Sequence, residues 1–249
     1  MPYYQRNGRA LFYAIEGSGK PMVLIHGYLG DSETHWGEQL HDPNLQSKFQ
    51  IIAPDLRGFG KSALGEKGET NLVSDILDDL RDLITNHLHL NHGKFPILVG
   101  YSVGAAIVLD YATMYPNEVS GICLLSPRPF TRKTASSHPF LSKKNRNKSK
   151  LSAFLWNILK RVQKEVSRRS IVKTAKNDPA RLDRLSAIQH IPTLLVYALK
   201  DTVTPQIAFS LLKENLPTAI IKVFPGDHGI NHEDAEAFNL ELFQFFNRE

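Results

Sequence analysis

The chain has 249 residues, 42% hydrophobic and 22% charged, with 16 glycines and 14 prolines spread along it rather than gathered into a linker. These are the proportions of one large globular domain with a substantial core, and they exclude a fibrous repeat or a chain disordered throughout. The net charge of +5 conceals an asymmetry: residues 128–184 hold 17 Lys and Arg against 3 Asp and Glu, a net of +14, which leaves −9 on the remainder.

The first stretch, YYQRNGRALFYAIEGSG, places two β-rich runs around Asn7-Gly8, the dipeptide that most favours a tight turn, and predicts a hairpin at a sheet edge. Short, continuously apolar runs then recur at 22–26, 50–53, 96–99, 121–125, 193–199 and 220–224. Such runs suit strands buried on both faces, as in a parallel sheet. The fourth run carries Cys123, the only cysteine, in the setting of a small apolar core residue. Between the strands lie segments of helical period. In 71–89 a stripe of Leu72, Ile76, Leu80, Leu83 and Ile84 leaves Asp75, Asp78, Asp79 and Asp82 off it. Alternating strands and helices predict an α/β, doubly wound, mostly parallel sheet.

The basic stretch falls between the run ending at Ser126 and the run starting at Thr193. Its first half is polar and reads as a loop or a partly disordered stretch. Its second half repeats Leu151, Phe154, Leu155, Ile158, Leu159, Val162 and Val166 at helical spacing, with Lys160, Arg161 and Lys164 on another side, predicting an amphipathic, cationic helix. The expected organisation is a core of 1–127 and 185–249 with an insertion at 128–184, after the sixth strand.

Gly100-Tyr101-Ser102-Val103-Gly104 follows the buried run PILV and precedes the helical AAIVLDYATMYP, the strand, turn and helix that a nucleophile elbow requires. On so sharp a turn, side chains two before and two after the serine would collide with the adjoining strand and helix, so both positions must be small. Here the chain resembles the α/β-hydrolase superfamily, in its branch of small serine hydrolases with a helical cap, and the resemblance runs over nearly its whole length. HGYLG, 26–30, is similar to the family's oxyanion loop, and DLRGFGKS, 55–62, to its D-x-R-G-x-G-x-S. VYALKDTVTP, 196–205, resembles the strand end that delivers the acid, and FPGDHGINHED, 224–234, the turn that delivers the histidine. Ala198 and Asp227 stand where the family commonly has glycine, and neither change removes a catalytic group.

The resemblance implies a helical cap in the basic insertion and a triad of Ser102, Asp201 and His228, with the backbone amides of Tyr28 and Val103 as oxyanion donors. A serine hydroxyl is scarcely nucleophilic unaided, so a histidine must take its proton and a carboxylate must orient that histidine. His232 is the rival base. The end of the preceding strand, where some relatives carry the acid, holds Ser126. His26, Tyr101 and Trp156 are the candidate substrate contacts. His26 and Asp55 are otherwise read as structural residues of the oxyanion loop and its neighbouring turn.

Serine at the elbow excludes the carboxylate-nucleophile chemistry of haloalkane dehalogenases and epoxide hydrolases. It leaves esters, thioesters and carbon–carbon cleavage, or lyase and synthase chemistry, on the same triad; a ligand receptor retaining the fold is the reading from another class. The basic insertion would attract anions: a small anionic ester, a coenzyme A thioester, an acyl group on an acidic carrier protein, or an acidic membrane surface. In length and motif order the chain is similar to the pimeloyl carrier-protein methyl ester esterases, whose caps dock an acidic carrier. No nucleic acid, metal or other cofactor is implied. With no apolar signal region at the start and no run of 18 uncharged apolar residues, a cytoplasmic location is expected.

Overall fold

Asn7 and Gly8 both adopt positive φ, 49° and 75°, the two-residue geometry whose twist matches that of the strands on either side. They join β1 (Tyr3–Arg6) to β2 (Arg9–Gly17), the antiparallel hairpin at one edge of the sheet. The structure, a computed structural model, describes residues 2–62, 73–91, 93–127, 184–204 and 206–248. The expected insertion up to residue 183, with its cationic helix and Trp156, lies outside the described residues, as does Leu72.

Six further strands follow: β3 (Lys20–Ile25), β4 (Phe49–Pro54), β5 (Ile97–Tyr101), β6 (Gly121–Leu125), β7 (Thr193–Ala198) and β8 (Ile220–Phe224). They form one eight-stranded sheet in the order β1-β2-β4-β3-β5-β6-β7-β8. β2 pairs antiparallel with β4, and every pair from β4 to β8 is parallel. The helices are α1 (Ser32–Leu40), α2 (Pro43–Gln46), α3 (Val73–Asp82), α4 (Val103–Met114), α5 (Gln206–Asn215), α6 (Ile230–Glu233) and α7 (Ala235–Phe246).

The apolar strand runs are continuous because both faces of the central sheet are covered. Val23, Ile25, Leu98, Ile122, Leu124 and Leu195 point into one core, shared with α3 and α4. Their neighbours Met22, Leu24, Val99, Cys123, Leu125 and Val196 point into the other, shared with Trp36 and Leu40 of α1 and Phe238 and Leu242 of α7. Strand side chains alternate faces, so a strand buried twice reads as unbroken hydrophobicity. Burial also pushes the Cys123 thiol well above its ordinary range, leaving it a core filler without thiolate character.

One expectation needs correction. β8 shares the apolar signature but is the far edge of the sheet, with Ile220 and Val223 40% and 50% exposed. The aspartates that lie off the apolar stripe of α3 are partly enclosed. Asp79 is buried and takes a bidentate fork from Arg57, Nε and Nη2 each at 2.6 Å, while Arg6 Nε approaches it at 2.9 Å. Asp75 and Asp82 flank this pair at 3.4 Å from Arg57 and Arg6 respectively. The network fastens the 55–62 turn and the first hairpin to α3.

Candidate active site

The strand order reverses its direction of growth between β3 and β5, so the chain leaves their carboxyl ends toward opposite sides and opens a crevice there. The loop 26–30 follows β3 and Ser102 follows β5 on that edge. Asp201 follows β7, and His228 follows β8.

Ser102 has φ 56° and ψ −110°, a strained conformation for a residue with a side chain, held where β5 turns into α4. The turn is possible because its glycines are squeezed. A Cβ on Gly100 would overlap the Gly104 carbonyl, and one on Gly104 would overlap the Ile25 carbonyl of β3. The Ser102 amide is anchored sideways to Leu125 O at 2.9 Å.

The Asp201 side chain has no exposed surface, against 15% for that of its partner His228. His228 Nδ1 donates to Asp201 Oδ2 at 2.8 Å. The other oxygen, Oδ1, accepts the Val203 and Thr204 amides, both at 2.8 Å. Burial by itself would raise this carboxyl. The His228 hydrogen bond and charge and the two amides outweigh it and hold the group below the usual carboxylate range. Thr204 also donates through Oγ1 to Ser126 O at 3.0 Å, tying the turn at 201–204 to the end of β6. Ser126 thus abuts this turn without supplying a carboxylate. His232, the alternative base, has its Nε2 3.2 Å from Asn231 Nδ2 and its ring 5.7 Å from that of His35.

Of the other expected contacts, His26 requires correction. It has no exposed surface, its Nδ1 donates to Gly27 O at 2.8 Å and its Nε2 accepts the Leu56 amide at 3.0 Å. Both ring nitrogens are spent on backbone, and burial lowers its proton affinity, so it is a neutral structural brace rather than a substrate contact. Asp55 performs a similar task, accepting the Ser32 amide at 2.8 Å and the Lys61 amide at 2.6 Å. Tyr101 is buried beneath the site with its ring 5.1 Å from that of His228, and burial pushes its hydroxyl far above the ordinary range, so it stays protonated. Val103 is the first residue of α4, where a helix amide has no intrahelical acceptor. Tyr28 lies in the loop after β3, its ring against Phe59.

Sequence reasoning passed over His35, Thr204 and Asn231. Thr204 and Asn231 lie within the stretches 196–205 and 224–234, but the partners of their side chains, Ser126 and His35, are 78 and 196 residues away. Among the described residues there is no cluster of His, Cys, Asp or Glu suited to a metal ion, and no helix is long and apolar enough to cross a membrane.

Residues 20–148 match the family model described as alpha/beta hydrolase fold. The chain is 34% identical over 126 residues to a pyrrolizixenacetamide deacetylase from Xenorhabdus hominickii, a match covering 49% of this chain and 44% of that protein. It is 26% identical to Lipase 1 of Psychrobacter immobilis over 86% of this chain and 73% of the lipase. In three dimensions it resembles a thioesterase domain from the curacin biosynthetic pathway, with a TM-score of 0.74, 18% identity and 98% coverage of both chains, a likeness of fold.

Proposed function

Because the chain belongs to the α/β hydrolase family, we propose that it is a serine hydrolase that cleaves a carboxylic ester or thioester, on an anionic or carrier-linked acyl substrate. The observation that carries this reading is the His228 Nδ1 to Asp201 Oδ2 bond of 2.8 Å on the same sheet edge as the strained Ser102. With Nδ1 donating, Nε2 of the neutral ring is left with its lone pair, the form a general base needs.

In this mechanism Ser102 Oγ attacks the acyl carbon while His228 Nε2 takes the hydroxyl proton. The carbonyl oxygen gains negative charge and is held by the amides of Val103 and Tyr28. Asp201, kept ionised by its hydrogen bonds, offsets the imidazolium. The imidazolium then gives its proton to the leaving alkoxide or thiolate as the acyl bond breaks. Water attacks the acyl-enzyme by the same route in reverse, and Ser102 recovers its proton. The lipase among the relatives supports ester chemistry. Incubation with p-nitrophenyl acetate, followed by mass spectrometry of the Ser102 peptide, tests the reading: an acetyl adduct is expected. The absence of both adduct and p-nitrophenol release would overturn it.

The anionic preference rests on charge, +14 in residues 128–184 against −9 elsewhere. Attraction between separated opposite charges weakens as salt shortens the Debye length from about 30 Å at 0.01 M to about 8 Å at 0.15 M. Over that range kcat/KM for an acyl carrier protein ester should fall, while that for a neutral ester stays level. Changing Lys143, Lys144, Arg146, Lys148 and Lys150 to Glu should abolish the difference without slowing the neutral ester. An equal salt response for both substrates, or a reversed-charge variant as fast as wild type on the carrier, would refute the carrier-linked substrate.

A further inference from the structure

The His35 imidazole sits inside the loop that follows β3. The Gly27 amide donates to its Nδ1 at 3.1 Å, and a Cβ on Gly30 would fall on the same ring, so the loop is wrapped closely around it. Its ring meets the edge of Tyr101, the residue before Ser102, with centroids 5.0 Å apart and planes at 88°. Its backbone carbonyl accepts Asn231 Nδ2, three residues beyond His228. One residue of α1 therefore touches the oxyanion loop, the nucleophile strand and the base-bearing turn.

We propose that His35 is a positioning residue for the oxyanion loop: its neutral imidazole fixes Gly27 through Nδ1, which aims the adjoining Tyr28 amide, and protonation releases the loop. This rests on the serine-hydrolase reading of the same site. The chemistry is a matter of donors and acceptors. Neutral His35, with its proton on Nε2, presents a lone pair to the Gly27 N–H. The imidazolium presents a second N–H there, and two donors face each other. The groups around it are His26 at the end of β3, Asp31 at the cap of α1, Tyr101 on β5, and His228 and His232 on the base turn and α6. Burial above all drives its proton affinity down to about 4 against the opposing pull of Asp31. The clamp therefore holds at neutral pH and opens in acid.

His35→Asn and His35→Leu make a matched pair. Both branch at Cγ, and Asn Oδ1 can occupy the Nδ1 position and accept from Gly27, whereas Leu cannot. On a neutral p-nitrophenyl ester His35→Leu should lower kcat by about 10- to 100-fold with KM little changed, and His35→Asn should remain within about threefold of wild type. Wild-type rates in His35→Leu, or equal losses in both variants, would overturn the proposal. NMR supplies an arm that needs neither turnover nor a folded Leu variant. The Gly27 amide should shift with a midpoint at about pH 4 in wild type and stay flat in His35→Asn; a flat wild-type signal would overturn the clamp. Stoichiometric labelling of Ser102 by a fluorophosphonate is measured alongside. Its failure in wild type would sink the hydrolase reading, while the Gly27 titration still decides the clamp.

Discussion

Replacing Ser102 by alanine is expected to reduce ester turnover by about 10⁴-fold or more while leaving the fold and melting temperature unchanged. The strained turn does not depend on the hydroxyl: its conformation comes from the close approach of Gly100 to Gly104 and of Gly104 to Ile25, which alanine at position 102 leaves in place. His228→Ala and Asp201→Asn should each cost a comparable factor, the latter because an amide in place of the carboxylate no longer selects the tautomer with its proton on Nδ1. The losses should not add, since in the proposed mechanism the three groups act on one proton transfer. The measurements are kcat on a p-nitrophenyl ester and circular dichroism of each variant. Full activity in Asp201→Asn would remove the acid from the mechanism. Activity retained in His228→Ala and lost in His232→Ala would move the base.

The largest stability effect is expected at Asp79. Its removal by alanine leaves Arg57 and Arg6 facing each other at a site where the Arg57 side chain is only 8% exposed. Breaking a buried pair costs about 3–5 kcal/mol, and because Asp75 and Asp82 remain 3.4 Å from Arg57 and Arg6 the loss here falls at the lower end, about 3 kcal/mol. For a chain of this size that lowers the melting temperature by roughly 10 °C. Asp79→Asn, which keeps an acceptor for one arm of the fork, should lose less. Equal melting temperatures for wild type and Asp79→Ala would show that the network is only decorative. Activity should fall with stability rather than ahead of it, since these residues lie beneath the turn at 55–62, apart from the acid and base pair.

Elements whose cause is local were legible from the residues alone. The Asn7-Gly8 hairpin, the doubly buried strands and the Gly-x-Ser-x-Gly turn each follow from backbone sterics or from the two-faced covering of a central sheet. What escaped depended on partners remote in the chain. The exposure of β8 could not be read from its own apolar residues, because an edge strand and a central one carry similar letters. The burial of Asp79 hinged on two arginines, Arg6 at the end of β1 and Arg57 in the turn at 55–62. The dual use of His26 hinged on the carbonyl next to it and on Leu56, thirty residues on. His35 carries no motif at all; its position inside the loop follows from the path of α1 against β3 and α6.

One polar knot has a consequence in time rather than in space. Gln39 of α1 donates to the Asn231 carbonyl and to Asn239 Oδ1, across 192 and 200 residues, and Asn239 in turn donates to Glu38 O and Asp42 Oδ2. A chain emerging from a ribosome folds from its amino end, and contacts of such separation close last. Until α7 has been made, Gln39 and the underside of α1 must remain wet, because sealing them without these partners would strand a buried amide. Asn231, which holds His35, arrives in the same late segment. The growing polypeptide can therefore complete most of its sheet while the turn that carries His228 has nothing to lean on. Support for that turn arrives in the same step that closes the second core, once α7 has emerged.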